Sequence, residues 1–222
     1  MEESLLIKKL EQNTKERYGI KNVSYEGLSK EAVNEIILGI ESVYEKYPLI
    51  FPKIDAIGSE KYIKDYLISL GYNIGNSFEK ANISKRDAMA CIVGQKTLFS
   101  IINLKGYEFI TVVFGPNLDR FINPKTTDEY GDMLKLKSIT THELGHVLCN
   151  LLFLDSDVSL KKELISIDPS KAKLYENGLG EAVAYSFQAY MCGIENNIIN
   201  TVVSKINEKY AELELKESKI HR

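Results

Sequence analysis

The sequence predicts an α+β fold, and three observations predict it: helical periodicity near the N-terminus, a run of short β-rich segments in the middle, and helical patterning that resumes and holds to the end. Val33, Ile36, Ile37, Ile40, Val43 and Tyr44 recur at helical spacing after Ser29, a good N-cap. The pattern stops before Pro48, which disfavours helix at Tyr47, so a helix over about 30–46 is expected. Residues 53–57 read as a short strand, after which Ser59 caps a second helix carrying Tyr62, Ile63, Tyr66, Leu67 and Leu70 and closed by Gly71. Segments 88–93, 97–103 and 107–114 are short, rich in β-branched and aromatic residues, and separated by turn signals at Gly94-Gln95 and Lys105-Gly106. They predict an antiparallel meander, hence a small antiparallel or mixed sheet. The polar stretch 116–132 makes a connection longer than usual, a hint of function. Ile194, Ile198, Ile199, Val202, Val203, Ile206, Tyr210 and Leu213 then mark a long amphipathic C-terminal helix, followed by a charged tail. The expected organisation is a single domain over 1–222. It comprises an N-terminal helical part (1–46), a strand–helix unit and meander (47–135), a helical half with an active-site helix (136–213) and a tail (214–222).

Composition narrows the function classes. A chain of 222 residues, 44% hydrophobic and 27% charged, has the makeup of a globular domain with a sizeable core, which excludes disorder, collagen and coiled coil. Its net charge of −3 gives no general attraction to nucleic acid or to an anionic membrane, and neither is expected as a partner. The start, Met-Glu-Glu-Ser-Leu-Leu-Ile-Lys-Lys, has the wrong order and length for a signal peptide, and no apolar stretch approaches the roughly 20 residues that cross a bilayer. Cys91, Cys149 and Cys192 are odd in number, far apart and set among apolar neighbours, as buried free thiols in a reducing compartment would be. A cytoplasmic location is therefore expected.

Chemistry concentrates in one segment. Residues 141–147 read Thr-His-Glu-Leu-Gly-His-Val, so His142 and His146 stand one helical turn apart on the same face, close enough to hold one Zn²⁺, with Glu143 turned toward the open position of the ion. The chain has three histidines, and two fall in this motif; the third, His221, is in the charged tail. The bland alternative is a solvated or core-satisfied His pair on an amphipathic helix. Ser138 is expected to cap the helix, and Ile139, Val147 and Leu151 to give it a buried side.

A catalytic zinc needs a third protein ligand. An elongated His-x-x-Gly-x-x-His motif would need Gly and His where Cys149 and Leu152 stand, so a carboxylate must serve. Glu181 is a lone acid opening an apolar helix that carries Ala182, Val183, Phe187 and Tyr190, and a buried carboxylate there would need a counter-charge such as zinc. Alternatively it is a first-turn Glu favoured by the helix dipole. Glu176 is the reserve ligand.

His142-Glu143-Leu-Gly-His146 followed by Glu181-Ala-Val-Ala resembles the gluzincin metallopeptidases. More specifically it resembles the small zinc metallopeptidase domains of phage and prophage proteins that lie beside head-morphogenesis modules. The likeness is carried by the helix end at Tyr47-Pro48, the strand Ala88-x-Ala90, the strand end Ile102-Asn103, Ile139-Thr-Thr-His-Glu-Leu-Gly-His, and Glu181-Ala-Val-Ala with Phe187 and Tyr190 beyond it. It implies a zincin-like α+β fold, with His142, His146 and Glu181 as ligands and Glu143 as general base. The chain departs from the pattern in two places. Where many gluzincins carry an Asp four residues after the ligand Glu to orient the first His, this chain has Tyr185, leaving Asp155, Asp157 or a backbone carbonyl for that task. No His stands where an oxyanion-stabilising group is needed, so Tyr175, Tyr185 and Tyr190 are the candidates.

The expected activity is hydrolysis of peptide bonds by a zinc-activated water, with protein or peptide as substrate. Substrate is expected to lie extended along an edge strand, 107–114 or 97–103. The competing readings are a phage or prophage assembly or interaction domain with a structural metal, and a toxin-type protease with a single target.

Overall fold

The computed structural model describes residues 2–71, 90–93, 110–115, 118–124 and 131–220. By its internal contacts the chain divides into two units, Met1–Glu143 and Leu144–Arg222. The division falls inside one continuous helix, Leu136–Leu151.

In the first unit, helix α1 (Glu2–Tyr18) precedes a two-residue strand β1 (Val23–Ser24), and α2 (Lys30–Tyr44) follows. The Ser29 hydroxyl accepts from the Ala32 amide, as expected of the N-cap. A 3₁₀ segment, Pro48–Lys53, occupies the start of the expected strand; the strand itself, β2, is Ala56–Ser59, and α3 is Glu60–Ser69. Gly71 takes a positive φ of 79° just beyond it, the left-handed closure that a glycine permits. Tyr18, Tyr44 and Phe51 join α1, α2 and the 3₁₀ segment in an aromatic cluster with ring centroids 5.0–5.8 Å apart.

The sheet corrects the expected pairing. Its order is β1-β2-β4-β3, where β3 is Ala90–Val93 and β4 is Thr111–Phe114. β1, β2 and β4 are parallel; only β3 runs antiparallel, against β4. The sheet is thus mixed, with a parallel majority. The physical reason is visible in β2 and β4, whose residues are buried on both faces, the situation of parallel strands linked by helical crossovers. The third meander strand, 97–103, and both expected turns lie outside the described residues. Since β4 is paired on both sides, the described part of 107–114 is not a sheet edge, which overturns it as a substrate-binding edge. Asp55 fixes the entry to β2: its carboxylate accepts from Lys21 Nζ at 2.6 Å and from the Ile110 amide at 3.0 Å, tying the strand to the start of β4.

The helix spanning the division is α4, Leu136–Leu151. It begins before Ser138, so that residue lies within the first turn rather than at the cap, and its carbonyl accepts from the Thr141 hydroxyl at 2.6 Å. In the first unit α4 packs closely on α2: a Cβ on Gly39 would come 2.6 Å from the Lys137 carbonyl oxygen. The polar stretch 116–132 carries short 3₁₀ turns at Asp119–Phe121 and, at its end, Gly131–Leu134.

The second unit continues with α5 (Val158–Ile167), α6 (Ala172–Glu176), α7 (Gly180–Met191) and α8 (Asn197–Ile220). Leu160, Leu164, Val183, Phe187, Val202 and Ile206 fill its core. The expected tail is corrected as well, because α8 stays helical to Ile220, supported by Lys205–Glu208 and Lys209–Glu212 pairs one turn apart. No described helix is long and apolar enough to cross a membrane.

Asp157 is the N-cap of α5. Burial pushes its carboxyl up, but the Leu160 amide and the Ser159 hydroxyl donate to it at 2.9 and 2.7 Å, and with Lys205 nearby they hold it below the ordinary aspartate value. A carboxyl whose pKa falls on folding stabilises fully above the unfolded value of about 3.9 and loses that contribution as pH drops through the folded value. Asp157→Ala is expected to cost about 1 kcal/mol in neutral buffer. Denaturant titrations across pH should show this difference shrinking in acid.

Candidate metal site

Helix α4 is buried along most of its circumference, and what it leaves half-buried defines the site. Between 138 and 150 every residue is buried except His142, His146 and Asn150, which recur at intervals of four and form one stripe. Both imidazoles are therefore half-buried on a helix whose other residues in this stretch are buried. Thr140 and Thr141, β-branched and polar at buried positions, satisfy their hydroxyls on the preceding turn, at Leu136 O (2.9 Å) and Ser138 O. Glu143, beside His142, is a buried carboxylate at 5% exposure.

The third group comes from the first turn of α7. Glu181 Oε1 lies 3.4 Å from His146 Nε2. One donor atom from each of His142, His146 and Glu181 falls within 4.8 Å of the others, and among the described residues these three form a group able to hold an ion. The donor set fits a zinc. Tetrahedral bonds of about 2.0–2.1 Å put neighbouring ligand atoms about 3.3–3.4 Å apart, which the His146–Glu181 separation matches. Two imidazoles and a carboxylate also suit other divalent transition ions.

Glu181 itself differs from expectation. Its side chain is 79% exposed, so burial does not explain the acid on this helix. Of the apolar neighbours that suggested burial, Val183 and Phe187 are buried, while Ala182 and Tyr190 are half-buried.

What brings α7 to α4 is Gly145, the fourth residue of the motif. A Cβ there would sit 2.9 Å from Ala184 Cα and 3.2 Å from the Phe187 ring. Backbone approaches backbone at this point, and Glu181, one turn before Ala184, is carried alongside His146, the residue after Gly145. In an ordinary exposed helix Gly→Ala would stabilise by about 1 kcal/mol. Here Gly145→Ala is expected to reverse that sign and destabilise by about 1–3 kcal/mol, measured by thermal unfolding in chelator, because a packed backbone has to move.

The remaining candidates separate. Tyr175 is 2% exposed in the core of the second unit, and burial raises its pKa. Among the three tyrosines it is the buried one. Tyr190, half-buried, stands nine residues from Glu181, on the opposite face of α7. Tyr185, 50% exposed and one turn beyond Glu181, stays on the same side. Glu176 is exposed and outside the cluster; its carbonyl accepts from Lys161 Nζ. Asp157 is committed to its cap, whereas Asp155 Oδ1 accepts from the Gly180 amide at 2.8 Å, at the start of the helix that carries Glu181. His221 lies outside the described residues. Sequence reasoning missed Gly145, Gly178 and Gly180, though a glycine inside a helix and a Gly-x-Gly before one are signals of close approach and of a constrained turn.

The chain matches no family model, no curated protein and no solved structure in comparisons of sequence and fold.

Proposed function

We propose that the protein is a zinc-dependent endopeptidase in which His142, His146 and Glu181 hold the ion. The observation that carries this reading is the convergence of the half-buried His stripe of α4 on a carboxylate of another helix, with a further carboxylate, Glu143, next to the first imidazole. When bound, zinc supplies Lewis acidity, lowering the pKa of water to about 7 and polarising a carbonyl. Glu143 is the general base: it takes the proton of the attacking water and returns it to the amine that leaves. Tyr185, exposed and one turn beyond Glu181, is the tyrosine we assign to the developing oxyanion. A buried, non-liganding glutamate adds nothing to a purely structural metal site, and this favours catalysis over an assembly domain.

The test begins with metal content. Purified protein is expected to bind about one zinc per chain and to cleave casein, an unstructured substrate, in a reaction stopped by chelator and restored by zinc. His142→Ala and His146→Ala should lose the ion and the activity together. Protein that takes up no zinc after loading would end this reading. Full zinc occupancy without cleavage of casein or of the chain itself would leave a structural metal or a protease with a single target.

A further inference from the structure

We infer that Asp155 is a positioning residue for Glu181, clamping the turn that delivers this ligand to the metal. The inference rests on the proposed metal site and deepens it.

One hydrogen bond and two close glycine approaches meet at this carboxylate. Asp155 Oδ1 accepts the Gly180 amide at 2.8 Å, and Gly180 is the first residue of α7, immediately before Glu181. The amides at a helix start have no partner within the helix, so an acceptor there fixes both the position and the direction of the first turn. Leu179, at the cap position, makes no side-chain cap hydrogen bond, so the carboxylate that serves this end comes from 25 residues earlier in the chain. Second, Gly178 has φ +136°, a conformation that side-chain-bearing residues rarely adopt, and a Cβ there would lie 2.9 Å from the same Oδ1. The turn is thus shaped to let the carboxylate in. Third, a Cβ on Gly180 would lie 3.3 Å from Asp155 Oδ1 and 3.9 Å from His146 Nδ1. The clamp therefore sits on the Nδ1 side of an imidazole whose Nε2 faces Glu181. One carboxylate thereby sets the start of α7 next to the imidazole that Glu181 must join.

The test is a double-mutant cycle read by zinc affinity, from competition with a chromophoric chelator, on full-length protein. Asp155→Ala is expected to weaken zinc binding 10–100-fold, the range seen when groups supporting a ligand are removed. In a Glu181→Ala background the same change should cost less than about twofold, because the ligand it positions is gone. Asp155→Asn keeps an oxygen for the Gly180 amide and should stay within about threefold of wild type. Gly180→Ala covers the case in which Asp155→Ala does not fold. Alanine favours the helix, so its melting temperature in chelator should hold or rise, while its zinc affinity falls severalfold as the methyl pushes on Asp155. The Co²⁺-substituted spectrum of Asp155→Ala should shift as that of Glu181→Ala does. Unchanged zinc affinity in Asp155→Ala, or an equal loss with and without Glu181, would overturn the inference. Failure of the wild type to bind zinc would instead remove the metal site on which it rests.

Discussion

Glu143→Gln is expected to retain zinc at wild-type stoichiometry and to lose hydrolysis by about 10²–10⁴-fold. The amide matches the carboxylate in size and shape at this buried position, while losing the charge and the ability to take a proton. His142 and His146 keep their stripe, and the ion keeps its ligands. Zinc content by atomic absorption and initial rates on casein, measured on the same preparation, check both halves. A mutant as fast as wild type would show that the base lies elsewhere.

The second large effect concerns Glu181→Ala, which should weaken zinc binding by orders of magnitude. It should also lower the melting temperature in zinc buffer, because ion binding to the folded state is lost. A glutamate in the first turn of α7 also interacts with the helix dipole, worth about 0.3–1 kcal/mol with no metal present. Melting in chelator isolates that part. Glu176→Ala is the control, since this exposed residue lies outside the cluster, and neither its zinc affinity nor its melting temperature should move. Equal destabilisation of Glu181→Ala in zinc and in chelator, with affinity intact, would assign Glu181 to the dipole alone.

The parts of the fold that were legible in sequence are those that declare themselves within a few residues. The Ser29 cap, the stop before Pro48, the Gly71 closure and the His pair of α4 are local devices. Strand pairing is not local. The β-branched composition of 107–114 marks a strand, but whether Thr111–Phe114 pairs in parallel depends on Ala56–Ser59, more than fifty residues away. The available clue is that Thr-Val-Val-Phe shows no alternation, the mark of burial on both faces. The end of α8 is hard to read because a drop in apolar residues resembles a tail, whereas Ala-Glu-Leu-Glu-Leu-Lys-Glu-Ser-Lys-Ile contains no breaker and its Glu212 pairs with Lys209 on the preceding turn. At the site, the residues of the candidate metal group were legible and their packing was not. His142, Glu143 and His146 form a motif, while Gly145 and Asp155 act through partners, Ala184 and Gly180, that spacing along the chain does not reveal.

The exposure of Glu181 has a kinetic side. An ion arriving from solvent meets two imidazoles held half-buried on a packed helix and a carboxylate whose backbone is anchored but whose side chain projects into water. The glutamate gives up about 1.5–2 kcal/mol of rotamer freedom when it closes on the ion, and regains it on release. On the proposed reading, release of the ion would begin with the swing of this one exposed side chain and would need no opening of the core. Occupancy would then follow the free zinc concentration around the protein.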